Sequence, residues 1–124
     1  MTSEHGSFTS PSFPGSYPLS TECVWTVSAS AGNRVLVSFR QFELQDSEFC
    51  NGDYLEVRSE NGGGQLIGHY CGNQIPTNIT AENKIWIKFR SDDEGTAAGF
   101  MADYTLRKVS LNFLSINALN LNFT

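Results

Sequence analysis

This sequence predicts an all-β domain of antiparallel strands, a sandwich or a barrel, on three observations. Short segments alternate apolar and polar residues with the period of two that a half-buried strand requires. Clusters of Gly, Pro, Asn and Ser separate those segments as turns do. No segment sustains the apolar repeat of roughly 3.6 residues that marks an amphipathic helix. With 124 residues, nine Phe, four Tyr and two Trp, the chain suits one domain with a real core. At this length about two-thirds of the unfolded surface is buried.

The elements follow in order. Residues 8–18, "FTSPSFPGSYP", set three prolines among aromatics, which is extended chain broken by turns. "ECVWTV" places Cys23, Trp25 and Val27 on one face, with Trp25 expected in the core. "RVLVSFRQFEL" runs Val35, Val37 and Phe39 in one phase, then Phe42 and Leu44 in the other, so a bulge is expected near Arg40. "DYLEVR" pairs Leu55 with Val57, and "SENGGG" at 59–64 is a loop with no helix after it to make a phosphate cradle. "QLIGHYC" is the next strand. In "NKIWIKFRS", Ile85, Ile87 and Phe89 face in, while Lys84, Lys88 and Arg90 face out in phase with Trp86. "SDDEGTAAG" is an acidic, glycine-bounded loop, and "FMADYTLR" closes with Phe100, Ala102, Tyr104 and Leu106 on one face. The tail 108–124 lacks charge after Lys108 and reads equally as an added strand, a linker or foreign sequence.

Charge narrows the function. The net charge of −5 disfavours non-specific nucleic-acid binding and adsorption to anionic lipid, and favours cations or basic partners. No run reaches the roughly 18 apolar residues of a membrane span. "MTSEHGSF" lacks the charged and apolar regions of a signal peptide. Met1 is read as a recombinant start. The three cysteines, Cys23, Cys50 and Cys71, form no zinc-type cluster. Cys50 and Cys71 flank a strand-rich segment, and a bridge across it would contribute roughly 3 kcal/mol. Cys23 is then left with a missing partner, an intermolecular bridge or a free thiol.

The landmarks "GSFTSPSFPGSYP" (6–18), "CVWTV" (23–27), "FELQDSEFCNGDYLEV" (42–57), "LIGHYCG" (66–72), "IWIKFRSD" (85–92) and "GFMADY" (99–104) resemble, in order and spacing, a CUB domain. That family is the extracellular β-sandwich module of complement and astacin-type proteases, endocytic receptors and spermadhesins. The resemblance spans 6–107, leaving 1–5 as recombinant or linker residues and 108–124 as a tail of uncertain origin. It implies a jelly-roll-like sandwich of two sheets of about five strands each and a Cys50–Cys71 bridge. Most members carry a second bridge from an earlier cysteine, which is absent here. Cys23 is therefore expected unpaired, with dimerisation through it as a consequence.

Many CUB domains bind calcium at one end of the sandwich. By resemblance the two aspartates of that site fall at Asp53 and Asp92, and the supporting tyrosine at Tyr17. The glutamate position falls at Gln45, which keeps a carbonyl oxygen but removes a charge, and calcium affinity follows ligand charge. Asp46, next in an extended segment, would point the other way. Without a cation, Asp53 and Asp92 would repel each other. Calcium-binding members take a basic partner side chain at the same end, so Tyr17, Asp53, Asp92 and Glu94 are the expected partner contacts. Seven of the thirteen acidic residues lie in 43–53 and 92–94.

No sequence motif for a nucleophile, metalloprotease or phosphate loop is present, so no catalytic residue is assigned. His69 is read as an ordinary strand residue. Asn78-Ile79-Thr80 is a glycosylation sequon in an expected loop, and Asn122-Phe123-Thr124 is a second at the end. The expected function is a non-enzymatic, secreted or ectodomain protein-recognition module that uses calcium. The alternatives are an accessory substrate-positioning or assembly domain of a secreted protease, and a free-standing secreted glycan- or lipid-binding CUB protein.

Overall fold

A computed structural model of the chain describes residues 4–108. The tail from 109 and the sequon at Asn122 lie outside the described residues. Eight strands form: β1 (His5–Thr9), β2 (Glu22–Ser28), β3 (Asn33–Glu43), β4 (Tyr54–Ser59), β5 (Leu66–Tyr70), β6 (Ile79–Glu82), β7 (Lys84–Arg90) and β8 (Gly99–Lys108). They make two antiparallel sheets of four, ordered β1-β8-β3-β6 and β2-β7-β4-β5. Each sheet thus holds four strands among the described residues, against the five or so the resemblance implied. A short 3-10 turn, Glu48–Cys50, is the one helical element described.

Alternation sets the layers. Val35, Val37 and Phe39 of β3 and Ile85, Ile87 and Phe89 of β7 are buried between the sheets, as period-two patterning requires. The phase reversal in β3 is a bulge: Phe39 pairs with Ala102 but Gln41 with Met101, so Arg40 is the extra residue. Both Phe39 and Phe42 thereby reach the core. Arg40 turns out and forks onto Asp103, with contacts of 2.7 and 2.8 Å. Phe100 sits at the centre of the aromatic packing. Its ring lies 5.5 Å from Trp25, 5.9 Å from Phe39 and 6.0 Å from Phe89, distances at which edge-to-face pairs add to burial. Trp25 packs on this core from a half-buried position rather than inside it.

The N-terminal stretch is built into the fold from Glu4, its first described residue. Strand β1 starts at His5, and the Leu106 N–H donates to the Glu4 carbonyl at 2.8 Å. Past β1 the chain turns twice, with a cis peptide before Pro14. It then runs to one end of the sandwich, where it delivers Tyr17 between the loops 44–53 and 91–98.

Candidate functional site

Four segments meet at that end. Residues 44–53 leave β3 and enter β4. The Cys50–Cys71 disulfide ties this segment to the residue just after β5, with Cα atoms 5.5 Å apart. Residues 91–98 connect β7 to β8. Residues 17–21 lie across both. The backbone is well anchored: the Tyr17 N–H donates to the Ala97 carbonyl, the Ser20 N–H to the Asp92 carbonyl, and the Ser91 N–H to the Thr21 carbonyl. Side chains add to this, with the Ser91 hydroxyl on the Pro18 carbonyl at 2.8 Å and the Thr96 hydroxyl on the Tyr17 carbonyl at 2.7 Å.

At the centre lies Asp53, fully buried at 0% exposure. Its Oδ2 accepts the Tyr17 hydroxyl at 2.6 Å, and its Oδ1 accepts the Asp92 N–H at 2.8 Å. The Gln45 N–H in turn donates to the Tyr17 oxygen at 2.9 Å. A buried carboxylate must be hydrogen-bonded to be tolerated, and this one is. Even so, burial raises the Asp53 pKa above its ordinary value, and the nearby Asp92 carboxyl pushes it further in the same direction. The two donors only partly offset this. Burial, together with the Asp53 bond, also raises the Tyr17 pKa, so the phenol keeps its proton and remains a donor.

The Asp92 side chain can approach because residue 52 is glycine. A Cβ there would stand 2.7 Å from Asp92 Oδ2. Across the site Gln45 lies against Gly95, whose φ is +79° and where a Cβ would fall 2.8 Å from the Gln45 amide carbon. Asp46 faces elsewhere, bonding the Ser47 N–H and lying beside Gly72. Glu94 is exposed and lends its N–H to Asp92 Oδ1 at 3.2 Å. The structure therefore brings Tyr17, Gln45, Asp53 and Asp92 together and leaves the Glu94 side chain at the rim.

The donor set suits a hard cation, being all oxygen: two carboxylates, one amide carbonyl and nearby backbone carbonyls. It is short of charge, because no group of three His, Cys, Asp or Glu side chains suited to a metal occurs among the described residues. Sequence reasoning missed Gly52 and the Ser91 and Thr96 anchors. A glycine directly before the "DY" pair was the available signal for the first. Elsewhere, Cys23 is unpaired and half-buried on the edge strand β2, and its pKa is raised by burial and then by Glu22. Asn78 is exposed just before β6.

Residues 1–104 match the family model described as the CUB domain. The chain belongs to the CUB domain family. It is 52% identical over 99 residues to the cubilin homolog of Drosophila melanogaster, covering 80% of this chain and 3% of that protein. It is 43% identical over 101 residues to human cubilin, again 80% of this chain and 3% of that protein. Human tolloid-like protein 2 is 39% identical over 106 residues, 84% of this chain and 10% of that protein. The chain thus spans a small part of these relatives. Among solved structures, the MASP-1 CUB2 domain bound to Ca2+ aligns with a TM-score of 0.76 and 32% identity, covering 84% of this chain and 94% of that one. The extracellular region of zebrafish Gpr126 aligns at 0.82 and 33%, covering 90% and 15%. The family and the disulfide place this domain in an extracellular setting. No described helix is long and apolar enough to cross a membrane.

Proposed function

We propose that this CUB domain is a non-catalytic protein-recognition module. Its acidic loop end receives a basic side chain of an extracellular partner, with calcium completing the site. One observation carries the reading: a fully buried Asp53 held by Tyr17 and the Asp92 backbone, with a second carboxylate beside it. Two carboxylates at close range are stabilised by positive charge, whether a metal ion or an ammonium group. Calcium, when bound, supplies that charge. Tyr17 and the Asp92 N–H orient the Asp53 carboxylate, and Gln45 offers an uncharged oxygen. The alignment to a CUB domain solved with Ca2+ supports the calcium part. Membership of a family that includes modules of complement and astacin-type proteases supports a second reading, an accessory domain of a larger protease. Asn78, exposed beside β6, suits glycan attachment.

The test is a melting curve in calcium and in chelator. A ligand that binds the folded state alone stabilises by about 2.7 kcal/mol at a hundredfold excess over Kd. The midpoint is expected to rise in calcium, and Asp53→Ala to remove the rise while keeping the strand spectrum. An unchanged midpoint in millimolar calcium would overturn the calcium part.

A further inference from the structure

Six large apolar side chains are strongly exposed among the described residues: Leu19, Val24, Phe49, Leu66, Ile67 and Ile75. Three of these, Leu19, Phe49 and Ile75, sit on three separate loops whose backbones are tied to the acidic end. Leu19 directly precedes Ser20, whose N–H bonds the Asp92 carbonyl. Phe49 lies in the turn that leads to Gly52, the residue packed on the Asp92 carboxylate. Ile75 follows Gly72, whose carbonyl takes the Leu44 N–H next to Gln45.

Phe49 is the most pronounced. It is 83% exposed, and its backbone is left-handed at φ 54°, ψ 23°. Cys50 follows at φ 52°. Left-handed backbone is unfavourable for a bulky residue, and a solvent-facing aromatic gains nothing from burial to offset it. The turn is nonetheless fixed. The disulfide holds Cys50, the Cys50 and Asn51 N–H groups bond the Ser47 and Glu48 carbonyls, and His69 Nε2 lies 3.1 Å from the Cys50 carbonyl. The backbone that presents the side chain is fixed, with little backbone entropy left to lose on binding. Rigid, exposed aromatics make anchors at interfaces.

We infer that the acidic site is the centre of a mixed surface whose apolar rim, Phe49 foremost with Leu19 and Ile75, selects protein segments in which a basic side chain is flanked by apolar ones. The inference rests on the proposed acidic site and adds a second determinant. Carboxylates at the centre require the cation, and the rim excludes water from that contact, which strengthens it. A hydrophilic polycation or an anionic glycan lacks one or both parts.

The test titrates calcium-loaded domain, followed by amide chemical shifts, with three synthetic peptides. One carries a single lysine between leucines, one has serines in place of the leucines, and one keeps the leucines with glutamine in place of lysine. The leucine–lysine peptide is expected to bind at least tenfold tighter than either control, with shifts at 47–53 and 18–21. Phe49→Asn should cut that affinity at least fivefold and leave the serine–lysine peptide within twofold. It should also raise the melting midpoint by about 4 °C, because Asn adopts the left-handed backbone readily. Equal binding of the leucine and serine peptides, or no effect of Phe49→Asn, overturns the apolar rim while leaving the acidic site standing. Equal binding of the lysine and glutamine peptides overturns the acidic site itself.

Discussion

Ser10 and Asp53 are both buried polar groups tied to the N-terminal stretch, at 1% and 0% exposure, yet they differ in what they leave undone. Ser10 and Phe100 exchange two hydrogen bonds. The Ser10 N–H donates to the Phe100 carbonyl at 3.1 Å, and the Phe100 N–H donates to the Ser10 hydroxyl oxygen at 3.0 Å. The pair is neutral and closed, and it fastens the chain leaving β1 to β8. Asp53 also receives two good donors, but it carries a charge and has Asp92 beside it. A satisfied neutral group needs no further partner, whereas a satisfied carboxylate next to another still favours a cation. Burial and hydrogen bonding are alike in the two places, so the difference between framework and site is one of charge.

The largest expected effect falls on the neutral region. Gly99 has φ +93°, and a Cβ there would stand 1.9 Å from the Ser10 hydroxyl oxygen. Gly99→Ala therefore meets both backbone strain and overlap, and is expected to lose about 3 kcal/mol in urea unfolding. The variant's midpoint should still respond to calcium, because the acidic end does not use this contact. If stability holds and the calcium response vanishes, the division between framework and site is wrong.

Next in size is Asp53→Asn, which removes the charge, keeps the outline and turns one of the two accepting oxygens into a donor. The Asp53 pKa is raised in the folded state, so the folded chain holds this proton more tightly than the unfolded chain does. Stability from that proton is complete below the ordinary value of 3.8 and is lost as pH rises through the folded value. Without calcium, the asparagine variant should lack this loss, so its stability should change less with pH than the parent's, while its amide leaves either the Tyr17 hydroxyl or the Asp92 N–H without an acceptor. Calcium should raise the parent's midpoint and leave the variant's nearly unchanged. Melting midpoints from pH 3.5 to 7.5, with and without the ion, read both. The same pH dependence for parent and variant in chelator would show that Asp53 is a framework group like Ser10.

The framework was more legible in the sequence than the site. Period-two patterning gave the inward faces of β3, β7 and β8, because burial on one face leaves a direct mark on composition. The phase reversal between Phe39 and Phe42 revealed the bulge at Arg40 for the same reason. The Cys50–Cys71 bridge came from resemblance, since three cysteines allow three pairings. Trp25 looked like a core residue by phase, but edge strand β2 leaves it half-covered. At the site, the resemblance named Tyr17, Gln45, Asp53 and Asp92, and the structure places these four together. What sequence could not supply was the role of missing atoms and backbone. Gly52 matters for the Cβ it lacks, and Asp92 holds Asp53 through its N–H. Phe49 drew no reading from the sequence, because exposure is a tertiary property.

The smallest effect on the fold, and the sharpest test of the comparison, is Gln45→Glu. Gln45 is exposed, with its amide packed against Gly95 of the acidic loop and its N–H bonded to Tyr17. A carboxylate there keeps the size and the backbone bond, and adds a third negative charge to Asp53 and Asp92. In chelator that charge is repulsive but partly solvated, so the loss should be about 0.5 kcal/mol. In calcium the same charge becomes a ligand, and affinity rises with ligand charge. Calorimetric titration should show about tenfold tighter calcium binding, ~1.4 kcal/mol. The two effects have opposite signs and one cause, which a purely structural Gln45 would not produce. If Gln45→Glu weakens the fold equally with and without calcium, residue 45 lies outside the ion's reach, and any cation is held by Asp53 and Asp92 with backbone oxygens alone.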